Sequence, residues 1–155
     1  MHFARATERF ATDIVCVDTW LGGVDHVLSS SSEDDRLLDS VGCPRLYYQF
    51  IRNFKDSPHA QRVYPIQNTS INGARILRHH KVSGEIVYID GSHEYADVHD
   101  DLCAFWPLVA SGGIMFGDDF GFLGVGPAVM RFTIEQNLKF SVVRNNFWVI
   151  EKKLK

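Results

Sequence analysis

The chain has 155 residues, of which 45% are hydrophobic and 23% charged, so it can bury one core of its own and is neither disordered nor fibrous. Its 16 basic and 19 acidic residues leave no basic surplus for a nucleic-acid backbone. No apolar run reaches the roughly 20 residues of a membrane-spanning helix, and the N-terminus carries no signal core. Cys16, Cys43 and Cys103 form neither a disulfide framework nor a zinc motif. We expect one cytoplasmic domain, residues 1–155, with neither nucleic acid nor membrane as partner.

Helical and strand-like patterns alternate along the chain. In order, they predict a helix over 2–11, a strand over 13–17, a helix over 44–54, a strand over 62–66, a helix over 70–80, a strand over 85–89, a helix over 94–110, a strand over 114–116 and a helix over 127–136. Two last strands, 138–144 and 147–151, flank Asn145-Asn146 as a hairpin. The polar run at 29–35 is predicted to be a surface loop, with a lid over a site as the alternative.

Strands that are apolar on both faces and alternate with helices are typical of an α/β fold with a mostly parallel sheet. The terminal hairpin adds antiparallel pairing at one edge of that sheet. Ligands of such sheets bind beyond the carboxyl ends of the strands. Polar residues stand at each of those ends: Asp18, Gln67-Asn68, 90–94 and 117–121.

Asp18 follows the first predicted strand. A carboxylate at that position can accept both hydroxyl groups of a ribose, and the alternative is that it caps the turn that follows. Trp20 lies two residues further on, where it can stack on an adenine or pack in the core.

Asp90, Asp118 and Asp119 follow two further strands. Three carboxylates without cysteine suit a hard cation such as Mg²⁺, Mn²⁺ or Ca²⁺, and the alternative is that the last two cap a turn. His93 is three residues after Asp90 and can serve as a general base, as a metal ligand or as a capping residue.

Several segments, taken together and in order, resemble a known family. They are VYIDGSHEY at 87–95, Asp101-Leu102, Trp106-Pro107-Leu108, Gly112-Gly113, Asp118-Asp119, and IVCVDTW at 14–20. The set resembles the class I S-adenosylmethionine-dependent methyltransferases, and within them the macrocin-type sugar O-methyltransferases. This resemblance implies a Rossmann-like, doubly wound fold and methyl transfer from S-adenosylmethionine to a hydroxyl group of a small molecule.

The resemblance also implies residue roles. The cofactor would be bound by Asp18, Trp20, Gln67, Asn68 and Asp90, and Mg²⁺ would be bound by Asp90, Asp118 and Asp119. The macrocin-type pattern has an aspartate as its proposed base where this chain has Ser92, a poor base. His93 is therefore the better candidate for the base, with Asp90 as the second catalytic residue.

In the family, a first strand and a glycine-rich turn precede the first helix, whereas this sequence starts with a predicted helix. We therefore expect a sheet without its first strand, in which strands 13–17 and 85–89 pair directly or accept a strand from a second copy of the chain, with direct pairing favoured. Direct pairing would shrink the cofactor pocket and weaken catalysis. A non-catalytic binding or assembly module is thus the alternative function, and a metal-dependent hydrolase is a third.

Overall fold

The structure is a computed structural model that describes residues 2–10, 12–23 and 45–154. Predictions for Cys43, for the loop at 29–35 and for the first residue of the helix at 44–54 lie outside the described residues. Two compact units are found, Met1–Thr69 and Ser70–Lys155. That the whole chain is one domain stays a prediction.

The first unit contains one pair of parallel strands. Its elements are α1 (His2–Ala6), a 3-10 turn (Glu8–Phe10), β1 (Ile14–Asp18), α2 (Arg45–Lys55), a second 3-10 turn (Ala60–Arg62) and β2 (Val63–Gln67). The pairing of β1 with β2 runs from Ile14 opposite Val63 to Asp18 opposite Gln67. This register places the carboxyl ends of both strands side by side.

The second unit contains a four-stranded sheet in the order β3-β4-β6-β5. Its elements are α3 (Ser70–His79), β3 (Gly84–Ile89), α4 (Tyr95–Phe105), a 3-10 turn (Trp106–Leu108), β4 (Val109–Gly117), α5 (Val125–Glu135), β5 (Phe140–Val143) and β6 (Phe147–Glu151). The β3–β4 pair is parallel, whereas β6 is antiparallel to both β4 and β5. The predicted parallel α/β pattern and the terminal hairpin are both confirmed.

The core of this unit lies between the sheet and the helices α4 and α5. Its largest fully buried side chains come from all three: Leu102, Met115, Val129, Phe132, Trp148 and Ile150. The helix predicted over 94–110 ends early, at Phe105, because Pro107 has no N–H to continue the helical hydrogen bonds. As a result β4 starts at Val109, five residues before the predicted strand.

Direct pairing between the first strand and strand 85–89 was the wrong expectation for the described residues. The structure pairs β1 with β2 and β3 with β4, in two separate sheets. Apolar side chains indicate that the faces of a strand are covered. They do not indicate which strand is its neighbour, because pairing is made by backbone groups in the plane of the sheet. Even the faces of β3 are only partly covered, since Ile86 is 57% exposed. A strand supplied by a second copy stays a prediction.

None of the helices in the described part of the chain is both long enough and apolar enough to cross a membrane.

Candidate active site

Three of the predicted cofactor residues meet where β1 and β2 end. Asp18 and Gln67 are opposite each other in the parallel register. The backbone N–H of Asn68 donates to the carbonyl oxygen of Asp18 at 3.0 Å, and the side-chain oxygen of Asn68 accepts from the N–H of Thr69 at 3.0 Å. The expected polar cluster therefore exists in the first unit.

Asp18 also shapes the turn that follows β1. Its Oδ1 atom accepts a hydrogen bond from the N–H of Trp20 at 2.8 Å, as in an Asx turn. Trp20 adopts a positive φ of 56°, an unusual conformation for a bulky residue. This is the capping role that the sequence left open for Asp18. Ribose binding by its second carboxylate oxygen stays a prediction.

The Trp20 side chain packs inside the first unit. It is 6% exposed, and its ring lies 4.9 Å from that of Tyr47 and 5.1 Å from that of Phe50. These contacts favour the packing role over stacking on an adenine, which stays a prediction.

A second cluster forms where β3 and β4 end. Ile89 is opposite Gly117 in the register, so Asp90 and Asp118 directly follow paired residues. Both carboxylates interact with the hydroxyl group of Tyr88. A hydroxyl has one proton and donates to one carboxylate at a time, so the pair keeps uncompensated negative charge.

The electrostatics of this cluster follow from that charge. Partial burial, and then the neighbouring charge of Asp118, raises the pKa of Asp90. Burial, and then the charges of Asp90 and Asp118, raises the pKa of Tyr88. Tyr88 was not predicted as a site residue. The signal for it is strand alternation, which directs the side chains of residues 88 and 90 to the same side.

His93 and Asp119 form a separate pair beside the two carboxylates. His93 Nε2 lies 3.1 Å from Asp119 Oδ2. Phe122 stacks on the imidazole with ring centres 4.3 Å apart and an angle of 29° between the planes. Asp119 itself has a positive φ of 57°, a tolerated conformation for aspartate that is held by the turn. Asp119 thus contacts the edge of the imidazole ring, and Phe122 covers one of its faces.

The two pairs border a common cleft. Asp90, His93, Asp118 and Asp119 line it, and its volume of about 10 Å³ suits one water-sized occupant. Trp148 also lines the cleft, and its buried indole N–H has no hydrogen-bond partner within the described residues. Three carboxylates and an imidazole therefore line one small cleft at the ends of β3 and β4.

The three predicted metal ligands do not converge as a set. Within residues 2–10, 12–23 and 45–154, no group of three or more His, Cys, Asp or Glu side chains is arranged to hold a metal ion. Asp90 and Asp118 share Tyr88, while Asp119 contacts His93.

Asp101 is a buried carboxyl group close to a residue that lines the cleft. Burial raises its pKa to about 6, and a hydrogen bond with the Ser70 hydroxyl partly offsets that rise. A Cβ atom on Gly91, a residue that lines the cleft, would stand 3.1 Å from Asp101 Oδ2. The sequence did not predict a site role for Asp101, because spacing along a helix does not reveal burial against a turn.

Comparison with known proteins gives a family and a fold. A family model described as a methyltransferase domain matches residues 1–120. No curated protein sequence matches the chain.

Among solved structures, apo CalS11, a TDP-rhamnose 3'-O-methyltransferase of calicheamicin biosynthesis, is 16% identical with a TM-score of 0.65, covering 96% of this chain and 64% of that one. The O-methyltransferase NovP is 15% identical with a TM-score of 0.69, and the match covers 96% of this chain and 63% of NovP. MycE is a methyltransferase of the mycinamycin pathway, solved in complex with Mg, SAH and mycinamycin VI. It is 20% identical with a TM-score of 0.52, and the match covers 99% of this chain and 49% of MycE. These matches confirm the Rossmann-like fold. The chain spans less than two thirds of the length of each of the three proteins.

Proposed function

This chain belongs to the methyltransferase domain family, and on that premise we propose that it transfers the methyl group of S-adenosylmethionine to a hydroxyl oxygen of a small molecule. One observation carries the proposal: an oriented imidazole, His93, lies beside two carboxylates at the carboxyl ends of parallel strands. Ligands of this class of fold bind at those ends. That CalS11 and NovP are named as O-methyltransferases supports oxygen as the acceptor atom.

The polar ends of β1 and β2 hold the nucleoside of the cofactor. Asp18 Oδ1 is occupied by the Trp20 N–H, so Oδ2 accepts the ribose hydroxyl groups. Gln67 and Asn68, which adjoin Asp18, border the adenine. Amide side chains suit this role because they can both donate and accept hydrogen bonds.

His93 acts as the general base. Asp119 Oδ2 lies 3.1 Å from Nε2 and orients the ring, and the neutral imidazole takes the proton of the acceptor hydroxyl. The oxygen attacks the methyl carbon as the carbon–sulfur bond breaks. The bonding electron pair stays on sulfur, which leaves S-adenosylhomocysteine and the methyl ether. Asp119 stabilises the imidazolium that forms.

The residues present fit a magnesium ion in part. Asp90 and Asp118 offer the oxygen ligands that Mg²⁺ prefers, and their mutual charge, only partly offset by Tyr88, would be relieved by a cation. When bound, Mg²⁺ would lower the pKa of an acceptor hydroxyl. Asp119 as a third ligand stays a prediction, since its carboxylate contacts His93.

Calorimetric titration with S-adenosylhomocysteine tests the proposal, followed by incubation with methyl-labelled S-adenosylmethionine and a panel of hydroxylated small molecules. Saturable binding and a labelled methyl ether are expected. Binding without methyl transfer to any acceptor would favour the alternative, a non-catalytic binding module. No binding at all would contradict the proposed function and would favour a non-catalytic assembly module.

A further inference from the structure

Two exposed apolar side chains stand beside the proposed base. Phe122 is 49% exposed and Leu123 is 96% exposed, and both belong to the turn between β4 and α5. Single exposed hydrophobic residues are common on protein surfaces and need no explanation. This pair differs in position, because Phe122 stacks on His93 at the rim of the candidate cleft.

The turn is firmly held, so its exposed side chains are presented in a fixed place. The N–H of Phe120 donates to the carbonyl of Asn146 at 3.0 Å, and the N–H of Phe122 donates to the carbonyl of Asp119 at 2.9 Å. At Gly124, a Cβ atom would overlap the carbonyl oxygen of His93, so the turn packs directly on the backbone of the base.

We propose that Phe122 and Leu123 form an apolar edge that binds the acceptor, and that the acceptor is an amphiphilic molecule whose reactive hydroxyl adjoins an apolar surface. This inference rests on the proposed function. Polar and ionic side chains line the cleft next to His93, so the hydroxyl would enter there while the apolar part of the same molecule covers Leu123. Removing that apolar surface from water would supply binding free energy without contact to the reacting atoms.

The probes are octyl β-D-glucopyranoside and methyl β-D-glucopyranoside, which carry the same ring hydroxyl groups and differ in apolar surface. Their dissociation constants are measured by calorimetry, below the micellar concentration, on the wild-type chain, Leu123→Ser and Leu154→Ser. Leu154 is the matched control, since it is 83% exposed and contacts Gly112 near the start of β4, whereas Leu123 follows the end of that strand.

We expect the octyl glucoside to bind the wild type about tenfold more tightly than the methyl glucoside. This ratio of dissociation constants should fall about fivefold in Leu123→Ser and stay unchanged in Leu154→Ser. An unchanged ratio in Leu123→Ser, an equal fall in both variants, or no preference for the octyl glucoside would overturn the inference. The titrations are run with and without S-adenosylhomocysteine. Failure of that cofactor product to bind would count against the proposed function, while the ratios without it still decide on the apolar edge.

Discussion

His93 Nε2 lies 3.1 Å from Asp119 Oδ2, although the two residues are 26 positions apart and follow different strands. The parallel pairing of β3 with β4 brings the two strand ends together, and the turn after Gly117 directs Asp119 to the imidazole. This arrangement of a base and an orienting carboxylate fits proton removal from an acceptor.

Asp18→Ala is expected to weaken binding of S-adenosylhomocysteine by about 1.5–3 kcal/mol, the range for a hydrogen bond to a charged group. Asp18→Asn keeps an oxygen for the Trp20 N–H and so separates loss of the turn from loss of the charge. Calorimetry measures both. Asp13→Ala is the control, because Asp13 is exposed and precedes β1 at its other end. Equal affinity in wild type and a folded Asp18→Ala would remove Asp18 from the cofactor site.

Asp118→Asn is expected to weaken binding of Mn²⁺, a paramagnetic substitute for Mg²⁺, by about tenfold or more, because it removes one of two proposed carboxylate ligands. Electron paramagnetic resonance of free Mn²⁺ gives the dissociation constants. Asp100→Asn, which changes an exposed acid on α4, is expected to bind Mn²⁺ as the wild type does. The metal assignment would be abandoned if all three proteins bound Mn²⁺ equally or not at all.

Gly124→Ala is expected to lower the free energy of unfolding by about 1–3 kcal/mol, the usual cost of overpacking. The added Cβ would overlap the carbonyl oxygen of His93 and lie 2.7 Å from the backbone nitrogen of Tyr95. Gly121→Ala is the matched control in the same turn, since a Cβ there meets nothing within 4 Å. Urea denaturation measures both variants, and equal stability would show that the turn does not pack on His93 as described.

Asp101 gives the chain a pH-dependent stability. Burial raises its pKa to about 6 in the folded state, above its value in the unfolded chain, so the folded state binds more protons between the two values. Its contribution to the free energy of unfolding therefore falls as the pH rises toward about 6 and is constant above that. Urea denaturation of wild type and Asp101→Asn should show the wild type losing stability relative to the variant over this range. A difference that does not change with pH would contradict the buried carboxyl.

Sequence patterns predicted the meeting of Asp90 with Asp118, because the end of an apolar strand is visible in the sequence and the ends of parallel strands adjoin. They did not predict that the hydroxyl group of Tyr88 interacts with both carboxylates, because that contact depends on the three-dimensional position of its side chain. They also misjudged strand pairing for β1 and β3, since apolar composition describes the faces of a strand and not its edges. The hydrogen bond of Asp18 in the local turn was foreseen only as an alternative, because a carboxylate at the end of a strand is compatible with either a turn or a ligand.

Proton removal by His93 during methyl transfer can be tested by the rate at which the variant His93→Ala transfers the methyl group. The measurement uses methyl-labelled S-adenosylmethionine at saturation, with His79→Ala, an exposed histidine at the end of α3, as the control. We predict that His93→Ala lowers kcat by about 10²–10⁴-fold, the usual contribution of a general base, with the affinity for S-adenosylhomocysteine unchanged. A folded His93→Ala variant with the kcat of the wild type would exclude His93 as the general base.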